Sequence, residues 1–203
     1  FACLSFFYTK SKRVSTVYLG MTISYSIWTL AIYQFFTGEL VLISLSSIGL
    51  ARLAYACSFL FSYLSVDLMT HYPRRILKSN LDRWVNLFVL SIGIVMTFNG
   101  FIIKSVDESL VITYGHGRAI FGILVVIMVI FVWWHRTKAN LRSRSFREKK
   151  RINFIFYSFL LPLTLIFTSN FIAPLLGYSN ASYFGPIFFG VHLILTGYAI
   201  LKY

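Results

Sequence analysis

Acidic residues are scarce in this chain. Asp and Glu together number 6 among 203 residues, and all charged residues make up only 12%. A soluble domain carries about a quarter of its residues as charge. The acids are spread over the whole length, and none of the histidines lies near paired carboxylates. Cysteine is nearly absent as well. Cys3 and Cys57 both sit in apolar segments, with neither a metal-ligand nor a redox spacing. The four histidines, His71, His116, His135 and His192, form no zinc-binding pair. His116 reads as a solvated loop residue and His135 as an interfacial one. No glycine-rich phosphate loop and no dinucleotide fingerprint occurs, so neither a catalytic constellation nor a cofactor site is expected. Phe1 is not an initiator Met, so the start reads as trimmed, and no cleavable signal peptide is recognisable.

What the chain has is apolar length. Hydrophobic residues make up 58%, with a mean hydropathy of +0.74. The formal charge is +13. The cations occupy short loops between apolar runs, which points to a membrane rather than to nucleic acid. The densest loop, Arg136 to Arg151, holds eight Lys or Arg in sixteen residues and only Glu148 against them. Such a loop stays on the cytoplasmic side.

The expected fold is an all-α bundle of seven transmembrane helices in one domain. The spans fall at approximately 1–8 (truncated), 17–36, 45–70, 84–103, 119–134, 152–176 and 187–200. Loops after the first, third and fifth spans carry three, four and eight basic residues. The loops after the second and sixth carry none, and that after the fourth has Lys104 with Arg118 at its edge. This alternation places the N-terminus outside and Tyr203 in the cytoplasm.

Within the spans, Trp84, Trp133 and Trp134 fall at the inner boundary, where indoles anchor helices. Gly20, Gly93, Gly100 and Gly190 suit close helix approach. Pro162 suggests a kink. Asp67, about one turn from the inner boundary, reads as the partner of a loop cation.

Polar groups inside spans mark the candidate site, because burying them in lipid is costly. At about 1.5 Å per residue, Arg52, Gln34 and Asn170 lie about 27 Å from the inner edge, and Asn99 about 22 Å. Tyr55 follows Arg52 by three residues and shares its face. The expectation is an outward-opening, ligand-binding pocket lined by Gln34, Arg52, Tyr55, Asn99 and Asn170. Arg52 would bind an anion or a carbonyl there. The competing readings are that Arg52 snorkels or pairs with Glu39, and that the amides bond helix to helix. His192 lies near mid-membrane and does not join this level.

Four stretches resemble the N-terminal seven-transmembrane sensor region of bacterial histidine kinases. They are Trp28 in SIWTLAIY, the segment ARLAYACSFLFSYLSVDLMTHYPRR from Ala51 to Arg75, VITYGHGRAIF from Val111 to Phe121, and the series REKKRINFIF, NFIAPLLG, FGP and GYAILKY. His116 stands where that family often has Pro. The resemblance implies a sensory input domain in the bacterial cytoplasmic membrane. It would take an unknown small-molecule ligand and relay it through the last span to a cytoplasmic output module following Tyr203, as a possible homodimer. Kinase activity would belong to that module and not to these residues. The alternatives are a small transporter or channel, or an integral membrane transferase. The first would be expected to show repeated halves, and the second clustered His, Asp or Glu at one membrane face; neither is present.

Overall fold

The computed structural model describes residues 12–39, 45–71, 80–107, 112–143, 145–173, 176 and 184–202. Six α-helices lie among them: α1 (Lys12–Thr37), α2 (Ser47–His71), α3 (Asn80–Phe98), α4 (Gly117–Arg142), α5 (Phe146–Phe167) and α6 (Gly185–Lys202). A two-stranded antiparallel hairpin, β1 (Ile103–Val106) and β2 (Ile112–Tyr114), lies between α3 and α4. The count is thus six helices and not seven; the expected first span, at residues 1–8, lies outside the described residues.

Four helical segments are long and apolar enough to cross a bilayer: Ser47–Leu68, Ala119–Arg142, Phe146–Phe167 and Gly185–Lys202. By helix length and composition this is a multi-pass membrane protein. Its exposed faces agree with that. Trp84, Phe88, Ile123, Ile130 and Trp133 are each more than half exposed. In water such faces would be aggregation sites, whereas in lipid they are the solvated surface.

α1 turns one face to the core. Its buried residues, among them Val14, Tyr18, Met21, Trp28, Ala31 and Phe35, recur every three or four positions. Ser24 donates to the Cys57 carbonyl at 2.8 Å and Tyr18 to the Leu193 carbonyl at 2.8 Å. These bonds tie α1 to α2 and to α6 without leaving a hydroxyl bare in an apolar setting. α2 is the hub, packing against α1, α3, α4, α5 and β1. Ser46 caps its start, accepting from the Gly49 amide at 3.3 Å. Gly93 lets α3 approach it closely: a Cβ there would stand 2.5 Å from the Phe59 ring.

Three element boundaries differ from expectation, each for a local reason. The span read as 84–103 ends at Phe98, where Gly100 turns the chain with φ 72°. The chain then doubles back as the hairpin, and Ile102 and Ile103 become fully buried. The basic segment read as a loop is mostly helix. α4 runs through Arg142, and α5 starts at Phe146 after Ser145 caps it by accepting from the Glu148 amide at 3.1 Å. Glu148, in the first turn, also suits the helix dipole. Beyond Phe167 the chain continues as a π-helical turn, Thr168–Ile172, instead of α-helix to 176. Pro162 is buried inside α5 without ending it.

Candidate ligand cavity

Small residues open a trough along α2. Ala51, Ala54, Ser58 and Ser62 recur at three- and four-residue spacing, so they share one face. Large residues stand across from it: Trp28, Ile32 and Phe35 of α1, Phe121 and Met128 of α4, Leu163 and Ile166 of α5, and Phe189 of α6. Ile112 and Tyr114 of β2 border the same space. The mismatch in size leaves a partly open cavity of about 130 Å³.

Rings form most of the wall. Trp28 meets Phe189 edge-on at 4.6 Å, and Phe61 backs Phe189 at 4.3 Å. Phe121 stands edge-on to Tyr55 at 5.4 Å and to Phe59 at 5.1 Å. The serine hydroxyls are turned to their own helix, Ser58 donating to the Tyr55 carbonyl and Ser62 to the Ser58 carbonyl, each at 2.8 Å. The polar feature facing the space is a tyrosine pair: the Tyr55 hydroxyl donates to that of Tyr114 at 3.4 Å. It joins α2 to the hairpin. Asp, Glu, Lys, Arg and His are absent from the described lining.

Of the five residues expected to form a pocket, Tyr55 lines the cavity. Gln34 is buried on α1, at 5% exposure, but does not border it. Arg52 is half-buried and donates from Nη2 to the Ile103 carbonyl at 3.3 Å; a Cβ on Gly100 would lie 2.9 Å from that nitrogen. It holds the turn below α3 and lies off the cavity wall. Asn99 is exposed in the same turn. Asn170 falls in the π-helical turn, and its side chain lies outside the described residues. Arg52 and the Asn99–Gly100 turn therefore come together, while Gln34 and Tyr55 serve different surroundings.

Residues chosen by size, not polarity, form the site. The sequence signal for them is the run of Ala and Ser at 51, 54, 58 and 62 within an otherwise bulky helix. Aromatics at 28, 35, 59, 121 and 189 read individually as ordinary membrane residues.

Below the cavity, a polar joint links three helices. His192 of α6 is buried and shares a hydrogen bond with the Ser158 carbonyl of α5, with Nδ1 at 2.6 Å. Thr196 Oγ1 is 3.3 Å from the same nitrogen and 3.4 Å from Ser158 Oγ. Ser65 Oγ of α2 is 3.5 Å from Nε2. Phe61 touches both Phe189 and His192, so one ring stands between that wall residue and the joint. His192 follows Phe189 by three residues and occupies the same face of α6.

The far end is fastened differently. Arg13, in the first turn of α1, pairs with Asp67 of α2 at 3.2 Å. Asn153 of α5 accepts from Arg136 Nε and from Asn140 Nδ2, both on α4 and both at 2.9 Å. His135, expected at an interface, is buried instead, with Nδ1 2.8 Å from the Phe131 carbonyl. Trp133 and Trp134 are more than half exposed, and Lys138 sits 4.6 Å over the Trp134 ring. Among the described residues no group of three His, Cys, Asp or Glu could hold a metal.

Comparison with family models, with curated proteins and with solved structures found no match for this chain. The cavity and the joint beneath it therefore carry the functional reading on their own.

Proposed function

We propose that the chain is a membrane-embedded sensory input domain of a bacterial receptor of the histidine kinase type. Its ligand binds in the cavity, and α6 relays the event to a cytoplasmic output module that follows Tyr203. The observation carrying this reading is the continuity of α6. Phe189 borders the cavity, His192 and Thr196 engage α5 and α2 one and two turns later, and the same helix runs unbroken to Lys202. A ligand that shifts Phe189 acts on a rod whose other end, at Leu201 and Lys202, is exposed. Such a shift needs a ligand with unequal affinity for two arrangements of that rod.

The alternation of basic residues supports the hairpin end facing outward and the α4–α5 turn facing the cytoplasm of a bacterial cell. In this orientation the cavity lies in the outer half of the membrane, at the level where the polar residues of α1 and α2 drew notice. Catalysis, in this reading, belongs to the output module, and the homodimer rests on the resemblance to histidine kinases.

Insertion of a flexible Gly-Ser segment after Tyr203 in the full-length receptor tests the relay. Loss of stimulus response with intact membrane insertion is the expected result. An unchanged response removes α6 from signalling. Cysteine labelling tests the orientation, with position 107 reached from outside and position 142 from the cytoplasm.

A further inference from the structure

Resting on the reading of the cavity as the input site, we propose that its ligand is a compact, uncharged apolar molecule of about the size of a phenol. Its one hydrogen-bonding group lies between the hydroxyls of Tyr55 and Tyr114.

Volume sets the size. A protein cavity of about 150 Å³ walled by aliphatic and aromatic side chains takes up benzene. The space here is about 130 Å³. It accommodates a six-membered ring with a short substituent, and a larger ligand needs the walls to part.

The lining sets the charge. No ionisable side chain other than the two tyrosines borders the described cavity. The nearest candidate cation, Arg52, spends its Nη2 on the Ile103 carbonyl at 3.3 Å and does not reach the wall. An ionised ligand would lose its hydration with nothing to replace it. A carboxylate or an amine is thereby excluded, and a hydroxyl or carbonyl compound is favoured.

The rings set the shape. Trp28, Phe189, Phe121 and Phe59 meet their neighbours edge-on. A planar guest can add one more edge-to-face or offset contact to this series. The tyrosine hydroxyls are 3.4 Å apart, a long bond for two oxygens. Each hydroxyl can donate or accept by rotating its proton. A guest oxygen near the pair can bond to both hydroxyls.

The test uses Trp28, which lines the cavity, as the reporter. Trp84, Trp133 and Trp134 are the other three tryptophans and all are exposed. Their replacement by Phe leaves one indole. The protein is placed in nanodiscs of unbrominated lipid at neutral pH and titrated with 4-bromophenol, whose bromine quenches on contact. Saturable quenching is expected, with none from 4-bromobenzoate. Tyr114→Phe should weaken binding about fivefold, the loss of one neutral hydrogen bond. Filling the trough by Ala54→Leu, or independently by Ser58→Leu, should abolish saturation. Quenching that rises linearly without saturating, equal quenching by the benzoate, or saturation unchanged in both filled variants overturns the proposal. In a second arm the discs contain phosphatidylcholine with brominated acyl chains. Quenching there that unbrominated phenol leaves in place makes a bilayer tail the occupant and also overturns it. These measurements involve no output module, so their failure leaves the relay standing, and a failed relay leaves the binding result standing.

Discussion

The two ends of this bundle solve opposite problems. At the hairpin end, five helices and a β-strand surround unfilled space, and the described bond that crosses it, from Tyr55 to Tyr114, is long. At the α4–α5 end the same helices are filled and fastened by an ion pair, by Asn153 with its two donors, and by the His192 joint above them. Water cannot supply missing bonds in the apolar centre, so each polar group there either finds a partner or costs free energy. The fastened end is therefore expected to set stability, and the hollow end to accept change. A protein that must move in response to a ligand needs both. It needs a site with room and a frame that keeps the helices registered while the site is occupied.

Substitutions sharpen or break this contrast. The largest effect is expected at the joint. His192→Leu leaves Ser158 and Ser65 facing an apolar side chain and should destabilise the fold by about 2 kcal/mol, measured by unfolding in mixed micelles. A loss no larger than that of a lipid-facing control such as Ile123→Ala would remove the joint from the frame. Next comes Gly93→Val. Overpacked sites lose about 1–3 kcal/mol. The Phe59 ring that would be displaced borders the cavity, so it has space to retreat, and the cost should fall near the lower bound. A cost at the upper bound would mean that the cavity wall is as rigid as the fastened end. Ala54→Leu carries the opposite sign. Filling the trough should stabilise by about 1 kcal/mol while removing ligand binding. A destabilised Ala54→Leu protein would contradict the hollow. The smallest effect is expected for Asp67→Asn. The pair with Arg13 is 44% exposed on the arginine side. Such pairs contribute about 0–1 kcal/mol, and salt screens them. A change above that range would make Asp67 a pillar of the frame and not an accessory.

Four of the seven expected spans are borne out as long apolar helices, legible because burial in lipid demands long hydrophobic runs. Ser145 with Glu148 marks a helix start that the sequence reading missed, because charge obscured it. Eight cations in sixteen residues read as a solvated loop, although S-F-R-E is a helix-capping pattern. The hairpin escaped notice because its strands have four and three residues, and nothing in IKSV or ITY alternates long enough to stand out. The Asp67 partner was anticipated in kind; Arg13 supplies it from a helix instead of a loop.

The site was the least legible part, for a physical reason. Scanning for costly polar groups finds residues that need satisfying, and folded chains satisfy them locally. Arg52 directs its Nη2 to a carbonyl of β1, where the sequence suggested a ligand. A cavity is made by missing volume, and alanine and serine raise no alarm in a membrane helix. Tyr55 entered the expected set through its spacing from Arg52, and it borders the cavity because the opposite flank of that helix turn faces the trough.

The π-helical turn at Thr168–Ile172 has a further consequence for how this sequence can change. A π-turn houses one residue more than the α-helix that would replace it. Deleting any one of the five would let the segment close as ordinary helix, at no loss of hydrogen bonds along its length. The extra residue is taken up within one wider turn, so the segments on either side would keep their facing. Leu163 and Ile166 would keep their places at the cavity wall. This part of the sequence can thus lose one residue without turning what flanks it. A chain one residue shorter here can therefore share both this cavity and the direction in which the segment after α5 sets out.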